Sequence, residues 1–233
     1  MPEIKQTTNF ADDCGIKILI YGAAGVGKTT SFASAPKPII VSIEGGLLSI
    51  ADKNLPYVVV NTMKDLRDVY MWLKPGKHEY ETVCIDSLSE ICDMWGREYR
   101  GDPDAAKMYP QMRKTVLGLL HSFRDLNQNV VFTARETIQE IKRRAETVNI
   151  VKPAVMGNKL QDDLPYVFDV VMRMTVEDLD MRRAYTACEG DTVAKDRTGT
   201  LPLTMRVQDN FLTQVFGMIK AGKQKNDKGG GAK

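Results

Sequence analysis

Residues 22–29, Gly-Ala-Ala-Gly-Val-Gly-Lys-Thr, form the most constraining stretch of this chain. They match the phosphate-binding loop pattern, in which a glycine and four further residues precede Gly-Lys and then serine or threonine. The apolar residues 16–21 before the loop predict a buried strand, and residues 29–35 after it can begin a helix. Glycines let successive backbone N–H groups turn toward an anion, and a helix amino terminus adds positive potential. The sequence therefore predicts a nucleotide site.

Side chains of the loop complete this predicted site. Lys28 would reach the β- and γ-phosphates, and the Thr29 hydroxyl would hold Mg²⁺. The candidate nucleotide-binding residues are Gly22, Ala23, Ala24, Gly25, Val26, Gly27, Lys28, Thr29, Thr30 and, further along the chain, Thr133.

The composition of the 233 residues indicates one α/β core. Hydrophobic residues make up 43% of the chain, which is enough to bury a sizeable core. No apolar run approaches the about 20 residues of a membrane span, and residues 1–13 lack the apolar centre of a signal peptide. The formal net charge is only +2, so any nucleic-acid site has to be a local patch. The four cysteines and two histidines lack metal-binding spacing, and we expect a cytoplasmic protein without zinc.

Short apolar runs alternate with helical patterns along the chain. This alternation predicts an α/β fold with a mostly parallel central sheet, flanked by helices and completed by a carboxyl-terminal β-hairpin at 170–176 and 183–187. Other strands are expected at 16–21, 38–43, 57–60, 82–86 and 129–133, and helices at 64–73, around 116–123 and at 210–221. We expect an amino-terminal extension (1–15), a core (16–221) and a disordered Lys- and Gly-rich tail (222–233).

Carboxylates follow two of the expected strands. Asp86 ends the run 82–86, where an aspartate can face the phosphate loop and hold Mg²⁺, although such a residue also commonly caps a helix. Hydrolysis also needs a group that orients or deprotonates water, and Glu44 and Glu90 compete for that role. We favour Glu44, which follows the second strand and would lie at the sheet rim; it can also be a turn acid before two glycines. Glu90 is explained more simply as a surface helix residue.

Three further residues have open interpretations. Thr133, at the end of the fifth strand, can sense a γ-phosphate by hydrogen bonding or can be an ordinary strand residue. Lys195 and Arg197 lie in a polar segment after the hairpin, and their i, i+2 spacing places them on one side of an extended chain. They can reach the γ-phosphate of a neighbouring subunit as fingers, or they can belong to a solvated basic loop.

Taken together, these elements resemble the RecA-like ATPases, and among them a phage-encoded group of nucleotide-binding proteins with single-strand annealing function. The resemblance extends from Ile16 to about Leu203. It rests on the phosphate loop, Ile43-Glu44-Gly45-Gly46, Val83-Cys84-Ile85-Asp86-Ser87, Val130-Val131-Phe132-Thr133-Ala134, and Ala194-Lys195-Asp196-Arg197-Thr198-Gly199.

The resemblance implies a RecA-like P-loop NTPase core that uses ATP and Mg²⁺ and forms a homo-oligomer, a ring or a filament, with ATP between subunits. Glu44 would be the catalytic glutamate, acting beside Lys28, and Lys195 and Arg197 would be fingers that act in trans. The implied role is to bind single-stranded DNA and promote annealing in recombination, in the cytoplasm of a phage host. A single-strand-binding protein is a candidate partner. The chain lacks room for the separate amino-terminal domain of full recombinases. We therefore expect annealing rather than strand exchange.

The DNA contacts are expected in the segment 135–159, which corresponds to a mobile DNA-binding loop in RecA-like recombinases. Its cations could contact phosphates, and the other interpretation is a solvated charged surface. No aromatic stacking platform is present in the segment itself. The candidate DNA-binding residues are Arg135, Lys142, Arg143, Arg144, Lys152 and Lys159.

Two other function classes share a phosphate loop. A nucleoside or nucleotide kinase also places such a loop before a helix, and the run 142–144 could then belong to a basic lid. A helicase loader or regulatory switch would bind ATP and hydrolyse it slowly. Transfer of phosphate to a nucleoside identifies the first class, and stable association with a helicase identifies the second.

Overall fold

Strand β1, Lys17–Gly22, is buried along its whole length and leads directly into the phosphate loop. The computed structural model describes residues 14–101, 104–143, 146–177 and 181–228. A strand of consecutive apolar residues has to be covered on both faces, which is typical of the interior of a parallel sheet. Strand β1 accordingly lies between β5 and β7 and is parallel to both.

Within the described residues, eight strands follow one another across the sheet in the order β10-β8-β7-β1-β5-β4-β2-β3. The strands β7, β1, β5, β4, β2 and β3 are parallel neighbours, whereas β8 and β10 join antiparallel at one end. Strand β6 pairs with the end of β5, and β9 pairs with β7. The strands are β1 Lys17–Gly22, β2 Pro38–Ser42, β3 Tyr57–Val59, β4 Thr82–Asp86, β5 Asn129–Arg143, β6 Glu146–Pro153, β7 Val170–Glu177, β8 Met181–Tyr185, β9 Lys195–Asp196 and β10 Thr204–Arg206.

Helices cover both faces of the sheet. One face packs against α1 (Met63–Leu73), α2 (Leu88–Glu98), α3 (Ala105–Arg124) and α4 (Asn158–Val167). The other face packs against α5 (Phe211–Lys228) and the 3₁₀ helix Thr30–Ser34, through side chains such as Phe32 and Phe211. A second 3₁₀ helix spans Leu47–Lys53. In the part of the chain that the structure describes, no helix is both long and apolar enough to cross a bilayer.

A buried lysine stabilises the end of the sheet opposite the phosphate loop. The Lys17 side chain is only 3% exposed, and its ammonium donates to the carbonyls of Gly15, Leu126 and Gln128 at 2.7–2.8 Å. Burial lowers the pKa of Lys17 to about 8 because desolvation disfavours the charged form. The three carbonyls satisfy all three ammonium protons, so β1, β5 and the end of α3 are connected through one side chain.

The structure corrects four details of the sequence-based expectations. The segment after the phosphate loop forms a five-residue 3₁₀ helix rather than an α-helix, which makes a helix macrodipole at the phosphates a minor contribution. Residues 135–143 and 146–153, part of the segment that the resemblance likens to a mobile loop, form strands instead, because β5 continues to Arg143 and pairs antiparallel with β6. Helix α4 was not expected. Helix α5 continues to Lys228, so residues 222–228 of the expected disordered tail are helical, and 229–233 lie outside the described residues.

Two further expectations concern the ends of the core. Residues 1–13 of the expected amino-terminal extension lie outside the described residues. The segment with Lys195 was expected as a polar loop, and the structure instead shows the two-residue strand β9, held against β7. The expected carboxyl-terminal hairpin is formed by β7 and β8.

Candidate functional site

The phosphate loop joins β1 to the 3₁₀ helix and leaves the sheet at Gly22. Gly25 and Gly27 have φ angles of +79° and +95°, which other residues rarely adopt, so these two positions need glycine. The Lys28 ammonium donates to the carbonyl oxygens of Gly22 at 2.9 Å and Ala23 at 2.7 Å. A phosphate that binds the lysine therefore replaces hydrogen bonds that the loop makes to itself.

Asp86 lies beside this loop at the carboxyl end of β4, two strands away from β1. Its side chain is 4% exposed, and its two carboxylate oxygens have different donors. The Thr29 hydroxyl donates to Oδ2 at 2.8 Å, and the fully buried Thr133 hydroxyl donates to Oδ1. One aspartate thus connects the phosphate loop to β5. Ser87 accepts a hydrogen bond from the Glu90 N–H and caps α2, so the capping role does not fall on Asp86.

These oxygen donors fit a magnesium ion. Mg²⁺ prefers one or two carboxylates together with hydroxyl, water and phosphate oxygens, rather than a cage of protein ligands. Asp86 and Thr29 supply a carboxylate and a hydroxyl oxygen at hydrogen-bonding distance. No group of three histidine, cysteine, aspartate or glutamate side chains suited to a metal occurs among the described residues. The remaining ligands would have to come from phosphate and water.

Glu44 lies near the same loop, two residues after β2. Its backbone N–H donates to the Asp86 carbonyl at 3.2 Å, which fixes the backbone of both residues relative to each other. Burial lowers the pKa of Lys28, and the carboxylates of Asp86 and Glu44 oppose that shift. Among the described residues, the exposed Glu44 carboxylate has no hydrogen-bond or ion-pair partner. It is therefore available to a water molecule or a ligand.

Glu90, the competing acid, is already engaged. Its carboxylate accepts a hydrogen bond from the Arg135 guanidinium, and Arg97 lies 4.0 Å from its other oxygen. Arg135 also donates to Asp93 at 2.6 Å. Both oxygens of this carboxylate therefore face a guanidinium, whereas the Glu44 carboxylate is free of such contacts among the described residues. The geometry therefore favours Glu44 over Glu90 for activating water.

Lys195 and Arg197 both contact the carboxyl end of α4. The Lys195 ammonium donates to the carbonyls of Pro165 and Phe168, the second at 3.2 Å. Arg197 donates to the Tyr166 carbonyl at 3.1 Å and lies 3.4 Å from Asp169. The two cations thus act on one side, as their spacing predicts, and they bind carbonyls that a helix end leaves unsatisfied. To contact ATP bound in a neighbouring subunit, Lys195 and Arg197 would have to exchange these hydrogen bonds for contacts with the phosphate.

The structure separates the candidate DNA-binding residues instead of bringing them into one patch. Arg135 is paired with acids of α2, as described above. Lys152 is 6% exposed and faces Asp162 at 3.9 Å, so it is mostly buried. Lys142 on β5 and Lys159 at the start of α4 are exposed. The side chain of Arg143 and the whole of Arg144 lie outside the described residues.

One residue near the loop was missed by the sequence reasoning. Arg182 lies on β8, and a Cβ atom built on Gly27 would come within 2.8 Å of the Arg182 Cδ. Its signal in the sequence is the pair Arg182-Arg183 on a strand of alternating exposure. In such a strand neighbouring side chains point to opposite faces, so only one of the pair can face the loop.

Comparisons with known proteins identify the family and the fold of this chain. Residues 14–198 match the model of a family described as an AAA domain. A crystal structure of the RadB recombinase aligns with a TM-score of 0.50 and 17% identity, covering 85% of this chain and 90% of that one. A KaiC-like protein from the hyperthermophilic archaeon Pyrococcus horikoshii OT3 aligns with a TM-score of 0.46 and 14% identity, over 74% and 78% of the two chains. A search of curated protein sequences gave no significant match. The expected α/β fold with a mostly parallel, RecA-like sheet is confirmed.

Proposed function

The chain belongs to the AAA domain family and is a P-loop NTPase, and we propose that it is an ATP- and Mg²⁺-dependent protein that binds single-stranded DNA, promotes annealing in recombination and hydrolyses ATP between its own copies. The observation that carries the proposal is the connection from Thr29 through Asp86 to Thr133. A carboxylate and a hydroxyl thus lie beside a phosphate loop, next to Glu44, whose carboxylate has no hydrogen-bond partner among the described residues.

Each side chain has one role in the proposed hydrolysis. Lys28 binds the phosphates, and Thr29 and Asp86 hold the metal ion. A bound magnesium ion neutralises charge on the phosphate oxygens. Glu44 orients the attacking water and accepts its proton, for which an exposed and unpaired carboxylate is suited. Thr133 fixes the orientation of Asp86 from a position where water cannot replace it.

The placement of β5 supports a link between nucleotide and DNA. Thr133 on β5 contacts Asp86, and two residues later Arg135 pairs with Gly22 in the sheet and with acids of α2. The same strand then continues to Arg143 and pairs antiparallel with β6, and this β5–β6 hairpin carries the exposed Lys142. We propose that a change in the contacts of Asp86 reaches the hairpin along β5, and that the hairpin is the DNA-contacting element.

Exposed apolar side chains support assembly. Leu48, Tyr57 and Val59 are 91%, 59% and 56% exposed, and they lie at the β3 end of the sheet, on the side of Glu44. The cations Lys195 and Arg197 lie at β9, on the far side of β1. A head-to-tail contact between copies joins two such different surfaces, and it produces rings or filaments. We propose this arrangement, with a neighbour's cations approaching the ATP.

The test is binding of a fluorescent single-stranded oligonucleotide with and without MgATP. We expect MgATP to raise the affinity about tenfold, within the usual range of coupling between two sites, and the affinity to fall steeply with salt. Lys28→Ala, which removes the phosphate contact, should bind DNA equally with and without MgATP. Negligible DNA binding under both conditions would refute the DNA-binding role. Transfer of the γ-phosphate to a nucleoside would indicate a kinase instead.

A further inference from the structure

Arg182 lies across the phosphate loop on the flank that faces away from Asp86. A Cβ atom built on Gly27 would be 2.8 Å from its Cδ, 2.9 Å from its Nε and 3.8 Å from its Cζ. The side chain therefore passes directly over this glycine, whose φ of +95° already excludes most other residues. The contact brings a guanidinium to a loop whose chemistry is the binding of phosphate.

The backbone of Arg182 is held in place by contacts with two neighbouring segments of the chain. Val176 on β7 is the partner of Arg182 in the sheet, and the Arg182 carbonyl accepts a hydrogen bond from the Val207 N–H at 2.9 Å. The loop is fixed against the same strand, because a Cβ atom on Gly22 would come within 2.3 Å of the Met174 carbonyl oxygen. Loop and arginine are thus both held by β7, and their separation does not depend on a flexible segment.

The guanidinium has no partner in the part of the chain that the structure describes. It is exposed and makes no hydrogen bond or ion pair there. Its neighbour Arg183 behaves differently, since its Nε donates to Glu177 at 2.8 Å. A guanidinium presents two parallel donors that match phosphate oxygens, so an unpaired arginine over a phosphate loop is suited to an anionic ligand.

The topology indicates which part of a nucleotide Arg182 can reach. Strand β8 lies on one side of β1, and Asp86 on β4 lies on the other. Lys28 interacts with Asp86 and Glu44, and these groups mark the flank where the terminal phosphate would be hydrolysed. The nucleoside end of a triphosphate bound along the loop then lies toward β8. We propose that Arg182 is a nucleotide-binding residue that contacts the α- or β-phosphate, an inference that rests on the proposed ATP-binding function.

The experiment is calorimetric titration with MgADP and with a Mg²⁺-bound non-hydrolysable ATP analogue. Both ligands carry the α- and β-phosphates, so Arg182→Ala should weaken binding of both by about tenfold or more, the usual effect of losing a charge-assisted hydrogen bond. Arg182→Lys should recover part of the loss. Arg183→Ala is the matched control and should bind both ligands as the unaltered protein does, because its guanidinium is held by Glu177. Thermal unfolding without ligand is measured for each variant. The melting temperature of Arg182→Ala should equal that of the unaltered protein, because the substitution breaks no hydrogen bond among the described residues.

Three results would overturn the inference. Unchanged affinity of Arg182→Ala for both ligands would show that the arginine does not touch the nucleotide. Loss of affinity for the ATP analogue alone would place Arg182 at the γ-phosphate and refute the assignment to the α- or β-phosphate. If the unaltered protein and Arg183→Ala bind neither ligand, the proposed function fails and this inference fails with it.

Discussion

Replacing Thr133 by valine should destabilise the protein measurably, because it removes a buried hydrogen bond to a charged group. Valine has nearly the shape of threonine, so packing is preserved and only the hydroxyl is lost. Thr133 is fully buried, and its hydroxyl is the donor to Asp86 Oδ1. The Thr29 hydroxyl donates to the other carboxylate oxygen of Asp86, Oδ2. A hydrogen bond to a charged group contributes about 1.5–3 kcal/mol, and we expect a loss of about 2 kcal/mol. For a chain of this size that lowers the melting temperature by roughly 4–8 °C.

The chain contains a matched control for this substitution. The Thr175 hydroxyl on β7 is buried and has no hydrogen-bond partner in the part of the chain that the structure describes. Thr175→Val makes the same chemical change without breaking a bond, so it should be neutral or slightly stabilising. Thr133→Ser restores the hydroxyl and should recover much of the lost stability. The measurement is urea unfolding followed by circular dichroism, read as a change of midpoint at constant slope.

The reasoning fails if Thr133→Val unfolds at the same urea concentration as the unaltered protein. It also fails if Thr175→Val is destabilised equally, since the loss would then come from packing of valine in the sheet. A confirmed difference would show that the hydrogen bond from Thr133 to Asp86 stabilises the fold.

Two more outcomes follow from the site and from the buried lysine. Glu44→Gln should bind nucleotide normally and lower the ATP turnover number by about 100-fold or more, as expected for loss of a general base. Glu90→Gln should retain most of the turnover. Steady-state phosphate release measures both variants, and a larger loss in Glu90→Gln would assign the base to Glu90. Burial lowers the pKa of Lys17 to about 8, so between pH 8 and its unfolded pKa the unfolded chain binds more protons and the free energy of unfolding rises with pH. The slope reaches at most about 1.4 kcal/mol per pH unit. Urea unfolding at pH 8 and 9 should show this rise in the unaltered protein and a smaller one in Lys17→Met; equal rises would contradict it.

Much of the central sheet could be predicted because its strands are short apolar runs. In β1 and β4 every side chain is buried, so the run of apolar residues marks both faces of a covered strand. The loop motif and the position of Asp86 at a strand end then place two chemical groups at the same sheet edge. Their proximity follows from topology alone, since carboxyl ends of parallel strands lie together.

The β5–β6 hairpin was missed because its charges obscured the strand pattern. Each of residues 136–143 has a partner in β6, yet the stretch is polar on both faces, with Glu136, Glu140 and Lys142 on one face and Thr137 and Gln139 on the other. Such a strand has no buried face that would reveal its period. Its pairing depends on long-range contacts, such as Arg173 with Glu136 at 3.0 Å, that no local pattern contains.

Helix α4 and the position of Arg182 were also beyond local reasoning. Pro165 lies inside the last turn of α4, and a proline normally indicates a helix end. Arg182 gains its importance from the approach of β8 to Gly27, two positions that are far apart in sequence. Sequence patterns identify groups within one element, whereas these contacts depend on how the elements pack.

The carboxyl end of α4 has a consequence for assembly. Lys195 and Arg197 satisfy carbonyls of its last turn and of the residue that follows, and Tyr166 in that turn is 77% exposed. In the proposed assembly, a neighbour that recruits these cations would leave the carbonyls to water, the other donor that a helix end can use. The last turn of α4 would then lose the side chains that connect it to β9, and this loss would oppose the joining of subunits. The phenol ring of Tyr166 lies in that turn, so we expect a spectroscopic signal from this ring to differ between a single molecule and an assembled one.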